Sequence, residues 1–307
     1  MKKVLITGAF GFLGQNTSLK FKHNGYDVYG CGHGLWDNHE YKQWGIDHWI
    51  TGDISIDLLK RFNIKPDVIV HCAGSGSVGL SLDNPALDFE KTVVATLAVL
   101  EFIRIYSPET KLIYPSSAAV YGEHIDAKIG VYEPLNPASP YGLHKKIAEE
   151  LCSSYHHFFQ VNCAIIRFFS IYGPGLKKQL LWDACNKIAF GQDKVVFWGT
   201  GNETRDWIYI SDATELIYLN ATSAIQFLIL NGGSGKRYTI KQTLLKLLTS
   251  LGRANAQVTF NNAVRSGDPR FYYADITEAQ LLKWTPKLSL QQGLENYTEW
   301  YRGIQHD

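Results

Sequence analysis

The stretch Gly8-Ala9-Phe10-Gly11-Phe12-Leu13-Gly14 constrains the fold more than any other, because it comes directly after the apolar run Val4-Leu5-Ile6-Thr7. Glycines at this spacing let a chain leave a buried strand, turn tightly and open a helix. The backbone N–H groups of the turn then face outward at a helix N-terminus, where they suit an anion. The alternative, an ordinary glycine-rich strand-to-helix turn, would not need the strand, the turn and the helix in this order. The pattern therefore predicts an α/β fold with a doubly wound parallel sheet. A dinucleotide pyrophosphate would lie on the backbone of Gly8, Phe10, Gly11, Phe12, Leu13 and Gly14.

The rest of the chain supplies further strands at the expected places. Residues 27–31 form a second strand, which exits through Gly32, His33 and Gly34. An acidic residue is expected near that exit if the cofactor carries a free ribose 2′-hydroxyl. Asp27 falls too early and Asp37 too late, and no arginine marks a 2′-phosphate, although His33 and Lys42 are near. NAD and NADP both stay open. Residues 49–54 form a third strand ending at Asp53 and Ile54. Asp53 could accept a hydrogen bond from an adenine amino group or cap a helix beginning at Ser55.

Residues 66–71 make a fourth strand, leaving through Cys72, Ala73, Gly74 and Ser75, which are small enough for the backbone to lie against a cofactor. A helix is predicted over about 83–106, apolar on more than one side and so buried against both the sheet and a partner surface. The strand at 111–115 runs into Ser116-Ser117-Ala118-Ala119, at the carboxyl end where open α/β sheets place ligands. A sixth strand at 161–167 exits through Ser170.

Beyond that point the strand–helix alternation weakens. Residues 1–170 read as a dinucleotide-binding domain to which 207–235 returns, with a strand at 227–231. Residues 171–206 and 236–307 read as a smaller C-terminal α/β substrate-binding lobe, with helices at about 239–251, 275–283 and 289–303.

One further pair carries chemistry. Ser139 can cap a helix whose first position suits Pro140, and Tyr141 and Lys145 then share a face four residues apart. An ammonium held beside a phenol favours the phenolate, which would pull Tyr141 from its usual value near ~10 toward neutrality. Tyr141 is thus a candidate general acid/base for a hydroxyl or carbonyl.

Composition narrows the partners. A net charge of +1 gives no broad field for nucleic acid or an anionic membrane. No segment approaches the ~20 apolar residues of a membrane span. Met1-Lys2-Lys3 before an apolar run resembles a signal-peptide start, but Gly8, Gly11 and Gly14 interrupt it and no small-residue cleavage site comes after them. Five scattered cysteines and ten histidines show no metal-ligand spacing, so no metal is expected. Cysteines used in this way fit a reducing cytoplasm.

The glycine turn, Ser117, the Tyr141/Lys145 pair and the tail Lys283-Trp284-Thr285-Pro286-Lys287-Leu288 together resemble the extended short-chain dehydrogenase/reductases, the NAD-dependent epimerase/dehydratase family. The nucleotide-sugar branch of that family includes UDP-glucose 4-epimerase, 4,6-dehydratases and 4-ketoreductases. The resemblance implies a Rossmann-type domain, NAD or NADP as cofactor and a nucleotide-diphosphate sugar as substrate. It implies a homodimer paired through the helices at 83–106 and 141–159, and a setting in polysaccharide precursor synthesis.

By the same resemblance, Ser117 binds the substrate oxygen, Tyr141 moves the proton, and Lys145 binds nicotinamide ribose. Asp53 reads the adenine, with His33, Ile54, Cys72, Ala73 and Gly74 lining the cofactor. Ser75, Ala118, Ser170, Arg205, Arg265 and Asp268 would hold the sugar nucleotide, the arginines by forked contacts to its diphosphate. Two departures stand out: Ser170 replaces an asparagine, and Gly32 replaces the acid usual at the second strand.

The two residues after Ser117 narrow the reaction. A dehydratase needs an Asp-Glu pair there to move protons, and Ala118 and Ala119 cannot do so. A 4-epimerase needs only the serine, tyrosine and lysine. An NADPH-dependent 4-keto-sugar reductase would use the same residues, and the acid-free exit at Gly32 fits that alternative. A silent nucleotide-binding member would not need all three residues.

Overall fold

The structure is a computed structural model and describes residues 1–124, 127–189, 194–263 and 270–304. In chain order the first half contains β1 (Lys3–Thr7), α1 (Phe12–His23), β2 (Asp27–Gly32), β3 (His48–Thr51), α2 (Ile56–Lys60), β4 (Val68–His71), α3 (Val78–Asp83), α4 (Pro85–Phe89), α5 (Ala95–Tyr106), β5 (Lys111–Ser117) and α6 (Pro140–Phe159). The second half contains β6 (Cys163–Phe168), β7 (Ser170–Tyr172), α7 (Gln179–Ala189), β8 (Lys194–Phe197), β9 (Thr204–Arg205), β10 (Trp207–Tyr209), α8 (Ile210–Thr222), β11 (Phe227–Gly232), β12 (Tyr238–Thr239), α9 (Ile240–Ser250), β13 (Gln257–Phe260), α10 (Thr277–Gln280) and α11 (Leu290–Gly303).

Seven parallel strands form the main sheet in the order β11-β6-β5-β4-β1-β2-β3. Strands such as β4 and β6 are buried along their whole length, as a parallel sheet covered on both faces requires. Phe21 of α1 and Leu216 and Ile217 of α8 pack on one face with Val4, Ile6 and Val70. Leu59 of α2, Leu100 and Ile103 of α5 and Cys152 of α6 pack on the other with Leu5, Ile69 and Ile165. The strand order turns back at β1, which pairs with β2 on one side and β4 on the other. Their carboxyl ends therefore diverge into a crevice, the place where such sheets bind ligands.

The smaller lobe gathers Leu181 and Cys185 of α7, Leu244 and Leu247 of α9, and Leu294, Tyr297 and Tyr301 of α11 into a separate core. Two-stranded ladders, β8 with β13 and β9 with β12, edge it. β7 and β10 pair in parallel and join the lobe to the sheet.

The helix expected over 83–106 is broken at its start. Asn84 is extended at φ −144° and ψ 78°, and its side chain caps α4 by accepting from Leu87 N–H. Pro85 forces this, because a residue before proline is driven out of the helical region. A π-helical turn over Glu90–Val94 then leads into α5. The helix expected at 275–283 contracts to α10. No helix among the described residues is long and apolar enough to cross a membrane.

Candidate active site

The glycine turn is built so that no side chain could occupy it. Gly8 has φ +65°, and a Cβ there would lie 2.6 Å from the backbone nitrogen of Ala73. A Cβ on Gly14 would lie 2.3 Å from the carbonyl oxygen of Gly8. β1, the first turn of α1 and the exit of β4 are thereby brought into backbone contact, and Gly11 leads into α1 without a side-chain cap. Phe12 turns its ring toward the lobe core and Leu13 toward the main core, so both offer the crevice only backbone.

Behind the turn, Thr7 Oγ1 lies 2.6 Å from His71 Nδ1 and accepts Ala73 N–H at 3.3 Å. Complete burial holds the His71 imidazole neutral, with its pKa down to about 3. Its Nε2, like Ser75 Oγ and Thr92 Oγ1, is a buried polar atom with no hydrogen-bond partner among the described residues. Burial pushes the neighbouring Cys72 thiol up to about 12, so it is an inert wall.

At the other end of the crevice, His33 Nε2 and Asp53 Oδ1 lie 2.6 Å apart with both side chains open to solvent. Asp53 is not the cap of α2; that is Ser55, whose side chain accepts from Leu58 N–H. Phe10 lies edge-on to Trp36 at 4.6 Å. Ile54 packs into the core beneath β3.

The third side of the crevice holds Ser117, Tyr141 and Lys145. Ser139 caps α6 by accepting from Gly142 N–H, and Pro140 takes the first position, as the sequence predicted. The Tyr141 N–H donates at 3.0 Å to Ser81 Oγ, which fixes the start of α6 against α3. Ser117, at the end of β5, hydrogen-bonds the Tyr141 phenol through its side chain and accepts Ala119 N–H. Lys145 Nζ donates to the Pro115 carbonyl at 3.1 Å and lies 4.9 Å above the Tyr114 ring. A Cβ on Gly74 would lie 3.9 Å from Lys145 Nζ. The glycine turn, the β4 exit and the Ser117/Tyr141/Lys145 group thus line one continuous surface.

The electrostatics differ from the sequence-based expectation. The Tyr141 phenol is raised rather than lowered: burial dominates, the Ser117 hydrogen bond opposes it, and the Asp88 carboxylate adds to it. Lys145 does not produce the phenolate, because its ammonium points at a carbonyl and an aromatic face. Its own pKa is drawn down to about 8 by burial, with nearby carboxylates working against the shift.

A buried network missed by sequence reasoning holds this group in place. Glu149, one turn beyond Lys145, accepts from Ser116 Oγ at 2.5 Å and from Arg167 Nη2 at 2.7 Å. Arg167 Nη1 also donates to the Tyr121 hydroxyl and the Val131 carbonyl. A second buried pair, His144 Nδ1 with Asp88 Oδ2 at 2.5 Å, ties α6 to α4. These pairs bridge 18 and 56 residues of sequence, and no local spacing announces them.

Of the residues expected to hold the sugar nucleotide, Ala118 is buried at the start of a short 3₁₀ turn. Ser170 pairs in β7 with Trp207, and its N–H donates to the Asp206 carbonyl. Arg205 donates to the Thr204 carbonyl and lies 5.9 Å from the Tyr272 ring. Asp206 is fully buried, accepting from the N–H groups of Ser234, Gly235 and Ala274, and burial raises its pKa to about 6. Arg265 and Asp268 lie outside the described residues.

The cradle that a Cβ would fill and the partnerless buried atoms at His71, Ser75 and Thr92 fit a dinucleotide laid along the crevice. Fold and crevice together are those of a dinucleotide-binding protein with a doubly wound parallel sheet. A family profile described as "NAD dependent epimerase/dehydratase family" matches residues 4–228, and the chain belongs to that family. It is 29% identical to a putative UDP-glucose 4-epimerase of Methanocaldococcus jannaschii, over 97% of this chain and 98% of the relative. It is 30% identical to a CDP-paratose 2-epimerase of Salmonella typhi, over 98% of this chain and all of the relative. A crystal structure of a Bacillus cereus UDP-glucuronic acid 4-epimerase, in complex with UDP-glucuronic acid and NAD, superposes with a TM-score of 0.88 at 26% identity, covering 98% and 99% of the two chains.

Proposed function

We propose that the protein is an NAD-dependent nucleotide-sugar 4-epimerase acting on a sugar attached to a nucleoside diphosphate. One observation carries the reading: Ser117, Tyr141 and Lys145 meet beside the glycine turn, and the positions after Ser117 hold Ala118 and Ala119, which cannot move protons. That set supports oxidation and re-reduction at one carbon and leaves no acid for dehydration. The 4-epimerases among the relatives and solved structures support the position on the sugar.

The cofactor supplies a hydride acceptor and donor at the sugar carbon. Around it, the backbone of Gly8, Phe10, Gly11, Phe12, Leu13 and Gly14 holds the pyrophosphate, and Ala73 and Gly74 let it lie close. Tyr141 takes the proton of the sugar hydroxyl and returns it, and Ser117 orients the same oxygen. Lys145 holds the nicotinamide ribose and keeps a positive charge near the phenol. Arg205 and Arg265 bind the nucleotide diphosphate and Asp268 the nucleotide ribose, with Ser170 and Ser75 as further contacts.

The enzyme works as a homodimer. Leu87, Val94, Leu97, Leu143 and Phe158, on α4, the π turn, α5 and α6, are each 39–69% exposed, and a second copy would cover them. All five cysteines are free thiols, which supports a cytoplasmic enzyme.

The test is product identification by NMR with UDP-linked and CDP-linked sugars. Inversion at C4 without net consumption of cofactor is expected. Inversion at C2, or stoichiometric oxidation of NADPH, would overturn the assignment. Tyr141→Phe should lower turnover by about 10³-fold while keeping bound dinucleotide, since it removes only the proton carrier.

A further inference from the structure

The carboxylate of Asp88 does more than hold α4 to α6. His144 Nδ1 lies 2.5 Å from its Oδ2, and both residues are buried. Its Oδ1 is buried as well and has no hydrogen-bond partner among the described residues. The pair sits beside the opening turns of α6, where His144 comes directly before Lys145 and three residues after Tyr141.

Lys145 is a buried ammonium with no carboxylate of its own: Nζ donates to the Pro115 carbonyl and stands over the Tyr114 ring. A buried charge needs an opposite charge near it. The titratable groups that face it are His71 and Cys72 at the end of β4, Tyr114 of β5, Glu149 and Cys152 of α6, and Asp88 of α4. Burial keeps His71 neutral and holds the Cys72 thiol and the Tyr114 phenol above their usual ranges. A hydrogen bond with Cys163, together with burial, does the same for Cys152. None of these is charged at neutral pH. Glu149 is matched by Arg167, which leaves Asp88. The buried cations Lys145 and Arg167 then face the buried carboxylates Asp88 and Glu149, and the charges balance when the His144 ring is neutral. Nδ1 of that ring carries its one proton and donates it to Asp88. The same carboxylate opposes loss of the Tyr141 proton, which the Ser117 hydroxyl favours.

We propose that Asp88, held by a neutral His144, is the counter-charge of Lys145 and a positioning residue for the proton on Tyr141. It keeps the ammonium charged and the phenol protonated until a sugar hydroxyl is in place. Without that negative charge both groups give up their protons at lower pH. The catalytic role rests on the oxidation and re-reduction proposed for this site; the charge balance does not.

The test is an NMR pH titration of the full chain labelled with ¹³C at lysine Cε, the Lys145 resonance being assigned through Lys145→Arg. The wild-type midpoint is expected at about 8. Asp88→Asn keeps the shape and an acceptor for His144, and should bring that midpoint down by about one pH unit. His144→Asn keeps a neutral donor toward Asp88 and should leave it in place. In turnover, both limbs of the kcat profile against pH should move down in Asp88→Asn, whereas a merely structural loss would lower the plateau and leave the limbs where they were. An unmoved Lys145 midpoint in Asp88→Asn overturns the inference, and a rise in His144→Asn overturns the neutral ring. Lack of turnover with every UDP-linked and CDP-linked sugar would overturn the reaction, with the lysine titration still deciding the charge.

Discussion

Replacing Glu149 by alanine tests how the start of α6, with Tyr141 and Lys145, is held against β5 and β6. Glu149 and Arg167 have side chains only 4% exposed, and the carboxylate accepts three hydrogen bonds from the guanidinium and one from Ser116 Oγ. Removing it leaves Arg167 charged and buried, with only Tyr121 and the Val131 carbonyl as partners. Breaking one side of such a pair costs about 3–5 kcal/mol. With a urea slope of about 3 kcal/mol/M, the unfolding midpoint should fall by about 1 M or more. The double variant Glu149→Leu/Arg167→Met removes both charges and should recover most of that loss, because the penalty comes mainly from the stranded cation. A loss under about 1 kcal/mol in the single variant, or a double variant as unstable as the two singles summed, would refute this account.

Gly14→Ala would set a methyl 2.3 Å from the Gly8 carbonyl oxygen, so the turn must open; the thermal shift that NAD gives the wild type should disappear. The depressed pKa of His71 predicts an acid-labile fold. Between about 3, its folded value, and 6.5, the unfolded chain binds a proton that the folded chain does not. Stability therefore falls as pH drops through that window, by about 1.4 kcal/mol per unit at most. Urea titrations should show a flatter pH profile in His71→Asn; equal slopes in the two proteins would exclude His71 as the source. Val94→Glu with Leu97→Glu should give a monomer in sedimentation velocity, whereas an unchanged dimer would place the interface elsewhere.

Short spacing is what this sequence discloses well. The glycine turn and the Tyr141/Lys145 pair are local, and the Ser139 cap belongs to one helix start, so each could be read within a few residues. The partners of those groups are not local. Lys145 meets Pro115 across 30 residues and Glu149 meets Arg167 across 18, through packing of α6 on β5 and β6. The expected phenolate failed for the same reason: spacing placed the lysine on the right face, but only the fold shows where its ammonium points. The helix expected over 83–106 holds from Pro85 to Tyr106 and is displaced only at its start, where Pro85 drives Asn84 out of the helical region.

The parallel pairing of β7 with β10 bears on how such enzymes change their diet. The chain leaves the sheet after Phe168, and the next strand to touch that exit is Trp207–Tyr209, held side by side with it through three residue pairs. Because the pair is parallel, the end of β7 and the start of β10 lie at opposite ends of the ladder, so the segment between Tyr172 and Thr204 has to cross back over its length. Any segment that makes that crossing can change in length and sequence without touching β5 and α6, where Ser117, Tyr141 and Lys145 lie.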